Sequence, residues 1–336
     1  MNILITTIGI NAPFFFLFRD ALGNKGKIFV SNSKETSFFS LADGYVLSPR
    51  IYDETYIDFL ITYCLKNDIK AVFSFSEMDI IVLAKNKERF KEKGIELIVS
   101  DQQVIEICND KWRCHQFLSS IGLKQPKTYI DINLLKNDLS SGIITFPLIF
   151  KPRWGVGSIG LFQVDTFEEI DIIYQKSFRE IFDSFLRFES EQNKDFCVLM
   201  MEKLTGQEYG LDVLNDLQGN YITTIPKTKT EMQEGETVVS TVEPNGPFIH
   251  TGKTISQNLK HIGNIGVDCF LTDSGDVLVI EINPRFAAHY PFAHLAGANF
   301  PKQIFEWLSG NPTNNEYITC KIGVTGYKNI SHIYPL

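Results

Sequence analysis

The segment Gly266–Arg285 holds the chain's densest set of residues able to do chemistry. Asp268 lies on a predicted strand, Gly266–Thr272, and Glu281 near the end of a second, Asp276–Ile282, with Asp273-Ser274-Gly275 as the turn. Asn283 and Arg285 follow at intervals of two. Side chains of an extended chain alternate faces, so Glu281, Asn283 and Arg285 share one face and Asp268 meets them across the pair. Two carboxylates and an amide oxygen make a hard, oxygen-only set suited to Mg²⁺, which also coordinates phosphates. Arg285 beside them can stabilise charge on a transferred phosphoryl group. A hairpin with a surface ion pair is the other reading. Against it, Glu281 and Asn283 interrupt an apolar strand, where a carboxylate without a partner is costly.

Two further segments could hold a nucleotide. Lys151 ends the apolar strand Pro147–Lys151, and Gly155, Gly157 and Gly160 follow in a turn over Arg153–Gly160. These glycines let backbone N–H groups approach a phosphate. The loop is neither a Walker A sequence nor a dinucleotide fingerprint, and a hairpin turn with an exposed lysine fits it too. In Leu199–Tyr209, a strand runs through Glu202-Lys203-Leu204 into a second strand starting at Glu208. Such a connector can present main-chain groups to an adenine edge while Glu208 accepts from ribose hydroxyls, or it is simply strand, loop and strand.

The elements that must position these residues follow from the periodicity. Strands at Asn2–Thr7, Lys27–Ser31, Ala71–Phe75 and Ile95–Val99 alternate with helices at Phe14–Leu22, Tyr52–Lys66 and Glu77–Lys93, which implies a mostly parallel sheet. Ligands of such sheets sit beyond the carboxyl ends of the strands, here near Thr7–Asn11 and at Ser76, Glu77 and Asp79. A helix at Asn109–Ile121 is capped by Asn109 or Asp110, and Thr166 to Glu169 spells a capping box before a long helix. Glu189–Lys194 reads as a polar surface loop. The last third is richer in strands, at Phe196–Glu202, Glu208–Leu214 and Tyr221–Pro226, with helices at His250–Ile265 and Pro301–Leu308. Gly235–Gly246 has few apolar anchors and reads as a loop ordered over an acceptor, with Thr237, Ser240 and Thr241 facing it.

Composition narrows the function. The net charge is −8, which repels polyanions and argues against nucleic acid or an anionic membrane as partner. The six cysteines form no Cys-x-x-Cys pair and sit mostly in apolar runs, as reduced buried thiols do. Met1–Ile5 lacks the basic region of a signal peptide, and the run Phe14–Phe18 is far shorter than the about 20 residues that span a bilayer. A cytoplasmic protein is expected.

Taken in order, the motifs resemble the ATP-grasp superfamily over nearly the whole chain. An N-terminal α/β domain precedes a helix carrying Lys111, then a strand ending in Lys151 before a glycine loop. Met201-Glu202-Lys203 then leads to Gly206-Gln207-Glu208, and Val267-Asp268 with Glu281-Ile282-Asn283-Pro284-Arg285 closes the pattern. The wording is most similar to the carbamoyl-phosphate-synthase-like branch with its carboxylate–amine ligases. This resemblance implies an α/β and α+β fold: a Rossmann-like pre-ATP-grasp domain at 1–108, a small lid subdomain at 109–198 and a nucleotide- and metal-binding subdomain at 199–336. It implies ATP, with Lys111 and Lys151 on its phosphates and Lys151 also catalytic. Trp154, Gly155, Gly157, Ser158 and Gly160 would form a lid, Glu202, Lys203 and Leu204 would meet adenine, and Glu208 ribose. Asp268, Glu281 and Asn283 would bind one or two Mg²⁺ (or Mn²⁺), with catalytic Arg285 at the transferred phosphate. Lys227, Lys229, Arg285 and His289 would contact substrate, His289 being otherwise a structural histidine. The implied partners are a small-molecule carboxylate and an amine, and the implied oligomer is a homodimer. A carboxylase or carbamoyl-phosphate-type enzyme, a kinase-like relative and a non-catalytic ATP-binding module are the competing readings.

Overall fold

The computed structural model describes residues 1–9, 12–155, 157–233 and 235–328. Asn11, of the segment expected to border a ligand, and Val156, of the glycine loop, lie outside the described residues.

The apolar runs of the first third form a five-stranded parallel sheet in the order β3-β2-β1-β4-β5. Its strands are β1 (Asn2–Thr6), β2 (Ile28–Asn32), β3 (Gly44–Leu47), β4 (Ile69–Ser74) and β5 (Glu96–Leu97). Helices α1 (Ala12–Leu22), α2 (Tyr56–Lys66), α3 (Glu77–Lys85) and α4 (Lys87–Lys91) supply the crossovers. The single helix expected over Glu77–Lys93 is broken at Asn86. Its side chain donates to Val82 O at 2.9 Å, a local bond that competes with helix continuation.

Helices α5 (Gln102–Asn109), α6 (Lys111–Ser120) and α7 (Ile132–Ser140) lead into a four-stranded antiparallel sheet. It comprises β6 (Thr128–Tyr129), β7 (Leu148–Pro152), β8 (Phe162–Val164) and β9 (Val198–Glu202), in the order β6-β9-β7-β8. Helices α8 (Glu169–Asp183) and α9 (Arg187–Ser190) follow β8, the latter running into the start of the expected surface loop at Glu189. Only half the capping box forms: Glu169 accepts the N–H of Thr166 at 3.3 Å and that of Asp165 at 2.8 Å, and the helix starts at Glu169 itself.

The largest sheet is antiparallel with six strands. In chain order these are β10 (Gln207–Asn215), β11 (Tyr221–Gln233), β12 (Glu236–Val242), β13 (Gly263–Leu271), β14 (Val277–Asn283) and β15 (Thr325–Tyr327), arranged β14-β13-β10-β11-β12-β15. Two expectations are corrected here. The segment Gly235–Gly246 is mainly strand β12, because its run of valines and threonines suits a pleated surface and pairs Thr241 with Thr228. The helix expected over His250–Ile265 is α10 (Phe248–Leu259). Lys260 turns left-handed at φ 57°, and Ile265, Val267 and Cys269 then alternate into the core as a strand does.

The described residues finish with α11 (Tyr290–Leu295), α12 (Phe300–Leu308), α13 (Asn315–Ile318) and β15. Phe286, Tyr290, Phe300, Ile304 and Phe305 join Phe14, Phe18, Phe73 and Phe75 in one core. Ring centroids lie 4.7 Å apart for Phe14–Phe75 and 5.6 Å for Phe18–Phe286. The carboxyl ends of the parallel sheet are thereby fastened to the segment after β14. Among the described residues, no helix is long and apolar enough to cross a membrane.

Candidate active site

Register assembles one wall of the site. On the six-stranded sheet Asp268 pairs with both Gly210 and Glu281, and Gly266 with Asn283. Lys229 of β11 lies 2.7 Å from Glu208 and 2.7 Å from Asp268. Burial opposes the charge on Lys229, but these two carboxylates hold its ammonium protonated above the ordinary range. Asn283 donates its amide N–H to Asp268 Oδ2 at 3.2 Å, leaving the amide oxygen free of that contact.

The opposite wall comes from the four-stranded sheet and α6. Asp110 accepts the N–H groups of Trp112 and Arg113 at the start of α6, and the same carboxylate takes both Nε and Nη2 of Arg153 at 2.7 Å. This clamp sets Lys111, next to Asp110, against the glycine loop. Its ammonium donates to Gly155 O at 2.7 Å and stands 3.6 Å from Glu281. Lys151 is buried at the end of β7. Burial lowers its pKa and Lys111 lowers it further, while Glu281 pulls it back up. Burial alone would raise the Glu281 carboxyl, yet Lys111, Lys151 and Lys229 together hold it down at about 2. Glu281 is therefore an anion in the field of three lysines, with Lys111 in ion-pair contact at 3.6 Å.

Between the walls runs a cleft lined by Lys111, His115, Thr128, Lys151, Met201 and Ile280, among others. Its lining combines apolar Leu199, Met201, Val279 and Ile280 with the cationic Lys111 and Lys151, and His115 stacks on Trp112 with ring planes 11° apart. The glycine loop sits beside it, with Ser158 and Gly157 left-handed at φ 60° and 72°. The N–H of Gly160 is bonded to Glu180 at 3.0 Å. Trp154 instead turns its side chain into the small sheet's core, under the Arg153 guanidinium. Glu202 accepts the Lys127 N–H at 2.7 Å, and the Lys203 N–H is bonded to Pro147 O, while Leu204 is half-buried.

The residues expected to meet substrate separate. Lys229 and Arg285 border the carboxylates, whereas Lys227 is fully buried and paired with Asp212. His289 lies above Gly210, where a Cβ would come within 2.6 Å of its ring. Its nitrogens stand 3.7 Å from Asp212 and 3.8 Å from Asp268, with no hydrogen bond among the described residues. Burial, then Lys227, Lys229 and Arg285, lower its pKa far enough to keep it neutral. Sequence reasoning missed Asp212, Asp110 and Arg153. Asp110 was considered only as a cap, and nothing in a strand pattern marks Asp212 as the partner of Lys227.

Comparison with known proteins agrees with this architecture. A family profile described as the PylC-like N-terminal domain matches residues 3–98, and one described as ATP-grasp in the biosynthetic pathway with Ter operon matches residues 195–330. The chain carries an ATP-grasp domain. The ATP-grasp chain is 22% identical over 277 residues to the arginine-specific carbamoyl phosphate synthase large chain of Bacillus subtilis, covering 79% of this chain and 24% of that one. It spans about a quarter of the length of such curated relatives. Its fold is shared with the L-amino acid ligase from Bacillus licheniformis (TM-score 0.75, 18% identity, 98% of this chain and 81% of that one). It is shared too with the biotin carboxylase domain of Hydrogenobacter thermophilus 2-oxoglutarate carboxylase, solved with MgADP and bicarbonate (TM-score 0.75, 15% identity, 96% and 73%).

Proposed function

We propose that this ATP-grasp chain is an ATP-dependent ligase that joins a small-molecule carboxylate to an amine through an acyl phosphate. The observation that carries the reading is the convergence of Lys111, Lys151 and Lys229 on Glu281, with Asp268 and Asn283 alongside. Phosphoryl transfer is mostly positioning and charge neutralisation, and this set supplies both. Lys111 and Lys151 would hold ATP phosphates over the cleft floor, where the adenine would lie near His115 and Met201. Gly157 and Ser158 would close over the phosphates.

The donor set fits Mg²⁺. Asp268 and Glu281 are paired in register, the lysines keep Glu281 ionised, and Asn283 retains an amide oxygen, so all three offer hard oxygen ligands. Among the described residues no cluster of three or more His, Cys, Asp or Glu is suited to a metal, so phosphate oxygens and water would complete the coordination. The ion would neutralise phosphate charge. A substrate carboxylate oxygen then attacks the γ-phosphorus, the bond to ADP breaks, and Arg285 stabilises the moving phosphoryl group. An amine nitrogen attacks the acyl carbon, the carbon–oxygen bond to phosphate breaks, and the amine's proton leaves to solvent.

The test is an ADP-release screen of carboxylates crossed with amines, with mass spectrometry of the product and a bicarbonate arm. The expected result is one pair that releases ADP in step with a new amide. ADP release on bicarbonate alone, as the carboxylase neighbour's bound anion suggests for a second reading, would replace the ligase assignment. No ADP above background across the matrix would overturn both.

A further inference from the structure

Arg285 is gripped from the other end of the molecule. Its Nε and Nη2 donate to Glu77 Oε1 at 3.1 and 2.5 Å, and its Nη1 donates to Phe286 O at 3.1 Å. Glu77 opens α3, directly beyond the carboxyl end of β4, so a residue of the parallel sheet's domain reaches the phosphoryl end of the ATP-grasp site. Both partners are largely shielded, with 19% of the Arg285 and 13% of the Glu77 side chain exposed. Their neighbours fix the approach. Phe75, two residues before Glu77, packs against Phe286, one after Arg285, with centroids 6.2 Å apart.

We propose that Glu77 is a positioning residue that aims Arg285 at the phosphate, so that the N-terminal domain completes the active site. This rests on the phosphate role given to Arg285 above. An arginine carries five N–H donors in a fixed plane. Three are taken by Glu77 and Phe286, and one N–H on each terminal nitrogen is left for an anion. Glu77 binds the guanidinium along its Nε edge and thereby sets the plane in which the free pair points. A planar donor fixed before its anion arrives loses less freedom on binding than a mobile one. A competing role, in which Glu77 merely occupies the anion's place, predicts the opposite response to its removal.

The probe is inorganic phosphate titrated calorimetrically into the full chain saturated with MgADP, which needs no knowledge of the acceptors. Glu77→Gln should weaken phosphate binding about tenfold, the scale of one charge-assisted contact, and Arg285→Lys should do the same. The double variant should be no weaker than the worse single, because contacting residues are not additive. Glu77→Asp, which keeps the charge on a shorter arm, should recover part of the loss. Melting temperature and the MgADP titration separate this from undocking of the domain. Phosphate binding in Glu77→Gln as tight as in the wild type, or tighter, overturns the proposal while leaving Arg285 in place. Unchanged binding in Arg285→Lys, or a wild type that takes up no MgADP, overturns the functional reading beneath it.

Discussion

The two walls of the cleft handle charge in opposite ways. On the six-stranded sheet the lysines and the neighbouring arginine already have partners: Lys227 has Asp212, Lys229 has Glu208 and Asp268, and Arg285 has Glu77. On the other wall, Lys151 is buried with no ion pair among the described residues, and Lys111 reaches Glu281 only at 3.6 Å. A paired wall is a rigid frame whose charges are largely neutralised. An underpaired wall carries a surplus of positive potential that a polyphosphate can neutralise. Under the proposed function the phosphates would lie on the Lys111–Lys151 side, with Glu281 between the two walls.

Glu281→Ala is the strongest way to break that arrangement. It would remove the proposed metal ligand and the counter-ion acting on three lysines, so ADP formation should fall by about a hundred- to a thousandfold, the scale of losing one preorganised electrostatic group. The fold should survive, as judged by circular dichroism, because the side chain is only partly buried. Normal turnover at saturating Mg²⁺ would sink the metal assignment. On the paired wall the expected effect is on stability instead. Lys227→Met strands Asp212 in a fully buried position, which should cost about 3–5 kcal/mol in urea unfolding. Combining it with Asp212→Leu should recover most of that. A double variant no better than the single would mean that Asn264, which donates to Asp212 at 3.1 Å, makes the site intolerant of apolar replacement.

This difference also explains how much could be read from the sequence. The parallel sheet and the Gly266–Arg285 hairpin were legible because periods of two and alternating runs are local properties. Register then followed, and Asp268 does face Glu281. What the strand pattern could not distinguish was Lys227 from Lys229. They share a face of β11 two residues apart, yet one is sealed beneath His289 and the other borders the carboxylates. That outcome depends on Gly210 and Gly266 making room for the loop at Ala287–His289, which lies nearly 80 residues beyond Gly210. Strand β12 was missed because polar threonines and terminal glycines outweighed its valines in the reading. The Glu77–Arg285 pair spans 208 positions. The rule for strand ends marked Glu77 as bordering a ligand, but only the aromatic core beneath it brings the two together.

On the underpaired wall, Lys151→Met should weaken ATP binding by about 10- to 100-fold, the range expected for a hydrogen bond to a charged group. The same change should leave stability unchanged or slightly raised, since the cost of burying this ammonium outweighs its attraction to Glu281, with which it forms no direct ion pair among the described residues. Isothermal titration and thermal melting of one preparation read both. A marked loss of stability with unchanged affinity would make Lys151 a structural member of the small sheet.

The smallest effect is in the acid limb of stability. Burial pushes the Glu281 carboxyl up, but the three lysines bring it to about 2, against an ordinary 4.5. A depressed carboxyl contributes stability in full above its unfolded pKa and loses it as pH falls through the folded one. The window is therefore from 4.5 down to about 2. In chelator-containing buffer, the stability gap between wild type and Glu281→Gln should narrow as pH drops through that range. Lys111→Met should shift the wild-type limb upward toward 4.5, because Lys111 is the first of the three lysines in its effect on this carboxyl. Lys229→Met should shift it less, since that ammonium is shared with Glu208 and Asp268. If the two lysine variants moved the limb equally, the charge at Glu281 would belong to the cleft as a whole, and the division into a paired and an underpaired wall would lose its basis.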